Sequence, residues 1–219
     1  AKTRVLNPVE NQGILSTNLS YDGTNWNLDN TGLAGALLDI NTNQTINFYT
    51  ATAGTNPRTL TLVLTMSPSG GLLFTSTQIA KYNVNALDDY EEGTWTPTIG
   101  GSTSESGQAY SIQTGNYIKI GLYVFVTLRV DLSTLGTITG SVMIKGLPFA
   151  AASGQFTGNV GYFNNLTSNV SSLGSFTRST FAQIEVYGVV GTQAVGMLAL
   201  VQADLSDTTI FIMSVGYYV

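Results

Sequence analysis

Hydrophobic and polar positions alternate with a period of two along much of this chain. In the run YVFVTLRVDL, aliphatic side chains occupy every second position from Val124 to Val130, and a more polar set alternates with them. The run FAQIEVYGV repeats the pattern, with Ala182, Ile184 and Val186 on one face. A period of two predicts β-strands with one buried face. No segment has the period of an amphipathic helix, so the pattern predicts an all-β protein.

Two later segments are more uniformly apolar. The final run, TTIFIMSVGYYV, is apolar on both faces, which predicts a strand inside a sandwich or against a neighbouring subunit. Val186 to Ala203 carries no charge over 18 residues, a length close to that of a membrane helix. Gly188, Gly191 and Gly196 interrupt it, so two short strands are expected there instead of a membrane span. AKTRVLNPVE, at the start, lacks the apolar core expected of a signal peptide.

The composition changes near the middle of the chain. Residues 1–85 are rich in Asn and Thr and consist of short runs broken by turns such as YDGTNWN, NTNQT and AGTNPR. Strands this short are not expected to close a core within one chain. Residues 93–219 contain the longer alternating runs. LDDYEEGTWTPTIGG, from Leu87 to Gly101, lies between the two parts.

Charge is scarce and its balance is acidic. The chain has 8 Lys and Arg against 13 Asp and Glu, a net charge of −5, which opposes tracking of a nucleic-acid backbone. Because there is no His and no Cys, disulfides, zinc fingers, Cys nucleophiles and His general bases are excluded. Charged residues make up 10% of the chain, against roughly 25% in ordinary globular proteins. A surface this poor in charge suits contacts between copies of the chain, or is rich in Ser, Thr, Asn and Gly, as is common on extracellular and virion proteins.

Four acids, Asp88, Asp89, Glu91 and Glu92, lie within five residues of the central segment. Glycoside hydrolysis needs two carboxyl groups facing each other at about 5 Å or about 6.5–9.5 Å, which neighbours on a linker rarely achieve. A hinge or inter-subunit contact is the preferred interpretation, a cation site is the alternative, and no metal is assigned. Trp95 follows directly and is expected to lock the base of the next domain at this joint; sugar stacking is its alternative.

Other polar segments offer no catalytic chemistry. Asp204 and Asp207 supply two acids at a predicted turn, too few oxygen ligands for calcium, so a solvated turn is expected. GSTSESG, residues 101–107, precedes no predicted helix and is therefore not a phosphate loop. Without histidine a Ser-His-Asp triad is impossible. No catalytic residue and no cofactor is assigned.

One stretch of the first part resembles a segment of bacteriophage tail fibres. Leu19 to Phe74 resembles a fibre segment that has a Tyr-x-Gly-x-x-Trp start, an F-Y-T-A strand, an Ala-Gly turn and a Met-x-x-x-Gly ending. In this chain these are Tyr21, Gly23 and Trp26, then Phe48 to Ala51, Ala53-Gly54, and Met66 with Gly70. This chain departs from that pattern at its end, where it has GLLF and fibres often have Gly-Ile-Gly.

A second resemblance begins at the acidic segment. LDDYEEGTWTPT resembles the sequence that joins a fibre shaft or tailspike body to a distal domain in phages. The resemblance continues in a strand motif with Tyr117, Lys119, Ile120 and Gly121, and in a Gly-Leu-Pro-Phe motif, Gly146 to Phe149. The motifs keep their order from Leu87 to Phe149, and the similarity fades after Ala152.

The resemblance implies a homotrimeric fibre tip that helps attach a virion to a bacterium. It implies a trimeric fibre-shaft segment of short interleaved strands (1–86), an acidic joint (87–93) and a distal antiparallel β-sandwich, jelly-roll-like (94–219). Closed rotational symmetry would also bury the apolar residues of a narrow shaft and leave no open sheet edge. The expected partners are upstream tail proteins and a host glycan or outer-membrane protein, without nucleic acid or membrane insertion. The expected location is the tail-fibre tip of the virion, after synthesis in the host cytoplasm.

Host contacts are expected in the later, less familiar part of the chain, since motifs shared among fibres should encode scaffold. GYFNNLTSN combines Tyr162, Phe163, Asn164 and Asn165, an aromatic and amide set that suits sugars. The alternative is that Tyr162 and Phe163 end a strand and pack inside.

Two other functions compete with host attachment. The first is a purely structural trimerisation or folding module of a tailspike, with the receptor or enzyme site upstream. The second is a polysaccharide-degrading enzyme. The missing histidine and the placement of the acids disfavour the second, so no enzymatic activity is expected.

Overall fold

The computed structural model of this protein describes residues 3–6, 13–74, 90–191 and 196–219. The chain divides into two compact units, Ala1–Ile79 and Ala80–Val219. The prediction of an all-β protein is confirmed, because the described residues form β-strands and one short 3₁₀ helix. Within these ranges no helix is long and apolar enough to cross a membrane. Asp88 and Asp89 of the acidic joint lie outside the described residues.

The first unit is built from short antiparallel strands. Its described strands are β1 (Thr3–Leu6), β2 (Gly13–Thr17), β3 (Leu19–Tyr21), β4 (Trp26–Leu28), β5 (Gly35–Ile40), β6 (Ile46–Ala51), β7 (Thr61–Met66) and β8 (Leu72–Phe74). Six of them form one sheet in the order β1-β2-β5-β6-β7-β8, and β3 pairs with β4 as a separate hairpin. Apart from that hairpin, each strand pairs with the next along the chain.

One face of this sheet has a small core of its own. Leu19 and Leu28, from the hairpin, pack onto Gly35 of β5, where a Cβ atom would lie 2.6 Å from the Leu19 side chain. The other buried members of this core are Ile14, Leu37 and Ala51. The expectation that these strands close no core within one chain is therefore wrong for this face, because the inserted hairpin folds over it.

The opposite face of the sheet remains partly open. We call it the apolar face; its members are Leu15, Leu38, Ile40, Ile46, Phe48, Leu64 and Met66. Leu15, Leu38, Phe48 and Leu64 lie side by side across four strands. Leu15 is 44% exposed and Phe48 is 39% exposed. The seven described members of this face are all apolar, so water contacts a continuous apolar row there.

The second unit has longer strands. Its described strands are β9 (Glu91–Trp95), β10 (Thr98–Gly101), β11 (Ser104–Ser106), β12 (Ala109–Ile120), β13 (Tyr123–Thr134), β14 (Thr137–Thr139), β15 (Val142–Lys145), β16 (Thr157–Asn164), β17 (Val170–Thr177), β18 (Gln183–Val190), β19 (Leu198–Ala199) and β20 (Ile210–Tyr218). Ten of them form one antiparallel sheet in the order β10-β15-β18-β17-β16-β20-β13-β12-β9, with β19 pairing with β18. The short strands β11 and β14 pair separately.

This long sheet folds over into two facing layers. β9 and β10 lie at its opposite edges, yet only Thr96 and Pro97 separate them in sequence. On the other side, β16 pairs with β17 through two residue pairs, Thr157 with Phe176 and Gly158 with Ser175. We call β9, β12, β13, β20 and β16 the front layer, and β10, β15, β18 and β17 the back layer. One folded sheet thus supplies both layers of the expected sandwich.

Side chains from both layers fill the space between them. Val124, Val126 and Val130 of β13 are fully buried, as the alternation predicted. They belong to one cluster with Ile144 of β15 and Ile184 of β18. Burial of a side chain of this size stabilises the fold by about 1.5–3 kcal/mol. Leu128 and Leu132 of β13 belong to the same cluster, whereas Phe125, Thr127 and Arg129 point outward from the front layer.

The two ends of the sandwich carry different segments. We call the end with Tyr90 and the β12–β13 turn at Gly121-Leu122 the base, because β9 starts there beside the end of β12. The opposite end, which we call the tip, carries residues 165–169 and 205–209.

Tyr217 is fully buried in the second unit, and its hydroxyl donates to the Phe149 carbonyl oxygen at 3.1 Å. Burial raises the pKa of Tyr217 to about 12. Because an unfolded tyrosine has a pKa of about 10, the unfolded chain loses this proton at a lower pH than the folded one. The stability that Tyr217 contributes is therefore full below about pH 10 and is lost as the pH rises through its folded pKa.

We expect Tyr217→Phe to reduce the loss of stability between about pH 10 and pH 12. At neutral pH the variant should lose roughly 1 kcal/mol, because the Phe149 carbonyl loses its hydrogen bond. Urea unfolding over this pH range measures both effects, and Tyr218→Phe, at the half-exposed neighbouring position, is the control. The same pH profile in Tyr217→Phe and the unmodified chain would contradict this assignment.

Candidate functional site

The junction and the two motifs that follow it meet at the base of the sandwich. The strand register pairs Gly93 with Tyr117 and Trp95 with Gly115. A Cβ atom on Gly93 would lie 2.8 Å from the Tyr117 ring, and one on Gly115 would lie 2.5 Å from the Trp95 indole. Phe149 meets the Tyr117 ring edge-on, with 5.6 Å between centroids. We call these five residues the base cluster.

Glu91 and Glu92, the two described acids of the joint, accept hydrogen bonds from tyrosine hydroxyls at the base. Glu91 accepts a short hydrogen bond from the Tyr117 hydroxyl, which raises the pKa of Tyr117 to about 12. Glu92 accepts from the Tyr90 hydroxyl at 2.9 Å, which raises the pKa of Tyr90. Lys119, opposite Glu91 in the register, is buried. A role of these acids between subunits stays a prediction.

The described residues give no support to sugar stacking by Trp95 or to a cation site at the acidic joint. Trp95 is 8% exposed and belongs to the core of the sandwich, so its ring has no open face for a sugar. The parts of the chain that the structure describes contain no group of three or more Asp, Glu, His or Cys that could hold a metal.

The residues expected to contact a receptor lie at the end of β16 and point in different directions. Tyr162 is 47% exposed, whereas Phe163 packs against the core. Asn164 is exposed, and its side-chain oxygen accepts from the Asn165 N–H at 2.9 Å. Asn165 has a φ of 57°, donates to the Thr208 carbonyl oxygen at 3.0 Å, and accepts from two hydroxyl groups of the same loop. Tyr162 therefore remains available to a ligand, while Asn165 ties the tip loops together.

Tyr162 belongs to a larger polar surface on the outside of the front layer. In the cross-strand register it lies beside Ile212 of β20 and Arg129 of β13. The adjacent row, which we call the polar row, consists of Asn159, Ser214, Thr127 and Asn116, from β16, β20, β13 and β12. The polar row, Arg129, Ile212, Thr114 and Gly161 line a groove of about 340 Å³. This volume is at the lower end of the roughly 300–1,000 Å³ of small-ligand sites.

The charge of this groove is compensated within the protein. Arg129 donates from Nε and Nη2 to the two carboxylate oxygens of Asp131 at 2.8 and 2.6 Å. The hydrogen bond to Asp131 raises the pKa of Arg129, and the neighbouring Tyr162 adds to the shift. Asp131 is 7% exposed, whereas the Arg129 side chain is 44% exposed and reaches the surface. The rest of the lining consists of amides, hydroxyls, Gly161 and the apolar Ile212, with the buried Leu128 and Met213 beneath them.

Sequence reasoning missed the polar row because its members come from strands that pair only in the folded sheet. Asn116 and Asn159 are 43 positions apart in sequence, and no local pattern gives the register between their strands. The available signal was the set of outward positions on β13, where Thr127 and Arg129 follow Phe125.

The prediction of a solvated turn is wrong for Asp204, which is buried, whereas Asp207 is exposed at a turn. Asp204 is 8% exposed, accepts from the Val201 N–H at 2.8 Å, and accepts from the Ser168 hydroxyl. Asp207 accepts from the Leu135 N–H at 2.7 Å. Both acids hold loops of the tip in place.

Comparisons with known proteins return a partial structural likeness. No protein-family model matches the chain, and no curated protein matches it. Among solved structures, the chain is similar to the crystal structure of Dettilon tailspike protein (gp208), with 19% identity and a TM-score of 0.48. The match covers 59% of this chain and 24% of that one, so this chain spans about a quarter of that protein's length. A likeness at this level assigns neither an activity nor a receptor to this chain.

Substitution should distinguish the structural role of Asn165 from that of Asn164. We expect Asn165→Ala to lower stability by about 1–3 kcal/mol, because it removes the bond to Thr208 and leaves alanine at a positive φ. Asn164→Ala, on an exposed side chain, should change stability by no more than about 0.5 kcal/mol. Urea unfolding of both variants measures the difference. Small and equal losses would show that Asn165 does not hold the tip together.

Proposed function

We propose that this chain is the distal part of a bacteriophage tail fibre or tailspike, where it attaches the virion to the bacterial surface. The proposal starts from the ordered motifs that resemble such fibres between Leu19 and Phe149. The observation that carries it is the base cluster, in which the junction motif, the Tyr117 strand motif and the Gly-Leu-Pro-Phe motif pack onto one another. Motifs that pack together as one unit can form a structural base that different fibres share, so that the other surfaces can vary with the host.

The surface of the second unit supports a binding role. Its tip loops are joined by hydrogen bonds in which the Asn165 side chain donates and the Asp204 and Asp207 carboxylates accept, so they are held in fixed positions. The outside of the front layer presents the amides and hydroxyls of the groove and the exposed rings of Tyr162 and Phe125, which are groups that bind polar ligands. The proposal includes no catalysis. Its partners are a host glycan or outer-membrane protein and the tail proteins upstream.

We take the working form to be a homotrimer, and the apolar face of the first unit supports this. An apolar surface that runs across four strands costs free energy in water and is typical of subunit contacts. Three copies around a closed axis would cover it on each chain without an open sheet edge. The low charge of the whole chain, 10% of residues, fits a protein that buries much of its surface between copies.

For assembly, light scattering should give three times the mass of one chain at micromolar concentration. Phe48→Asp places a charge on the apolar face and should shift the protein toward monomer, because the charge would be desolvated in the trimer. Asn43→Asp adds the same charge at an exposed turn and is the matched control. A stable monomer of the unmodified chain would contradict the trimer.

For host attachment, the fluorescently labelled trimer should bind cells of a susceptible strain and reduce adsorption of the phage that carries it. Strains that resist adsorption supply the control. An intact trimer that binds no strain in a broad panel would favour the purely structural trimerisation module instead. Release of reducing sugar from host polysaccharide would favour the enzyme.

A further inference from the structure

We infer that the groove along the polar row binds an uncharged saccharide, with Asn116 and Asn159 as the amide contacts and Tyr162 as the aromatic edge. The inference deepens the proposed function and rests on it only for its biological setting.

The polar row has the hydrogen-bonding chemistry that sugar hydroxyls require. A sugar hydroxyl donates one hydrogen bond and accepts others, so its site needs donors and acceptors side by side. Asn159 and Asn116, at the two ends of the row, each offer an amide N–H₂ and a carbonyl oxygen. Ser214 and Thr127, between them, offer hydroxyls that can turn to either role. Neighbouring strands are about 4.8 Å apart, so the four groups span roughly 14 Å.

In the next row, Tyr162 and Ile212 supply an apolar border. Tyr162, Ile212 and Arg129 lie side by side across β16, β20 and β13. Tyr162 is 47% exposed and Ile212 is 36% exposed, so both can cover the C–H side of a sugar ring. A polar row beside an apolar border matches a pyranose ring, which has hydroxyls around its edge and C–H groups on its faces.

The charges of the groove favour a neutral ligand over an anionic one. Arg129 is the cation of the lining, and two of its nitrogens are already committed to Asp131. The Arg129 Nη1 group can still donate to a hydroxyl, but the charge of the pair is balanced. The chain as a whole carries −5, which opposes a polyanion. Phosphate or nucleic-acid ligands are disfavoured because they require uncompensated Lys and Arg.

A peptide fits this groove less well. Peptides bind to sheets by adding a strand at an edge or by filling apolar pockets. β20 and β13, beneath the groove, are paired on both sides. The backbone hydrogen bonds of these strands are therefore already used within the sheet, and the polar row offers no apolar pocket.

The test uses the full-length chain on arrays of immobilised neutral oligosaccharides, neutral N-acetylated oligosaccharides, and sialylated or sulfated ones, at low and high salt. We expect binding to members of the neutral sets that does not change with salt. The double variant Asn116→Ala/Asn159→Ala should bind about tenfold more weakly, because each lost amide contact removes about one hydrogen bond. Asn43→Ala, an exposed asparagine of the first unit, is the matched control.

A second variant blocks the groove without removing a contact. A Cβ atom on Gly161 would meet nothing closer than 3.9 Å, so Gly161→Leu should fold and place its side chain in the groove. We expect it to abolish saccharide binding at an unchanged melting temperature. Thr127→Val, which keeps the shape of a groove residue and removes its hydroxyl, should bind several-fold more weakly.

Three results would overturn the inference. The first is no binding to any neutral saccharide, the second is binding that the groove variants leave unchanged, and the third is binding only to acidic saccharides that is lost at high salt. Cell attachment that persists in Gly161→Leu would leave the proposed function intact and place the receptor contact elsewhere. Saccharide binding in the groove without attachment to any strain would support the groove and contradict the proposed function.

Discussion

Aromatic rings packed onto glycines of the opposite strand hold the second unit together at its base. Trp95 of β9 lies over Gly115 of β12, and Tyr117 of β12 lies over Gly93 of β9, so each strand supplies one ring and one glycine. A side chain at either glycine would collide with the ring across from it. These contacts fix β9 against β12 at the edge of the front layer.

The fold-over of the sheet follows from this fixed edge. Because Thr96 and Pro97 alone separate β9 from β10, the back layer has to begin within two residues of the front layer. The Gln113 side chain donates to the Pro97 carbonyl oxygen at 2.9 Å and holds this corner. Gly146, with a φ of 87°, leaves room for the Thr96 carbonyl oxygen, which would lie 2.8 Å from a Cβ atom. Gly146, the first residue of the Gly-Leu-Pro-Phe motif, thus packs at the corner that the junction motif forms.

The parts of the fold that the sequence could predict are those that depend on neighbouring residues. The alternation from Val124 to Val130 identified the buried face of β13. Asp204 was misjudged because its partner Ser168 is 36 positions away, and a sequence pattern does not show such a contact. The polar row was missed for the same reason, since its four residues become neighbours only through the register of four strands. The hairpin that covers one face of the first unit also depends on a packing contact, of Leu19 on Gly35, that local patterns do not reveal.

The alternation that builds the front layer also separates the core positions from the groove positions. On β13, Val126 and Leu128 point into the core, while Thr127, which lies between them in sequence, points into the groove. An inward substitution creates a cavity or a clash and costs about 0.5–5 kcal/mol, whereas an outward one usually changes stability by no more than about 0.5 kcal/mol. The outward residues can therefore change with the ligand while the sheet and the base stay the same. In a trimer each weak groove would be present three times at fixed spacing. Engagement of several copies could then raise the overall affinity by about 10²–10⁴ without any change in the core.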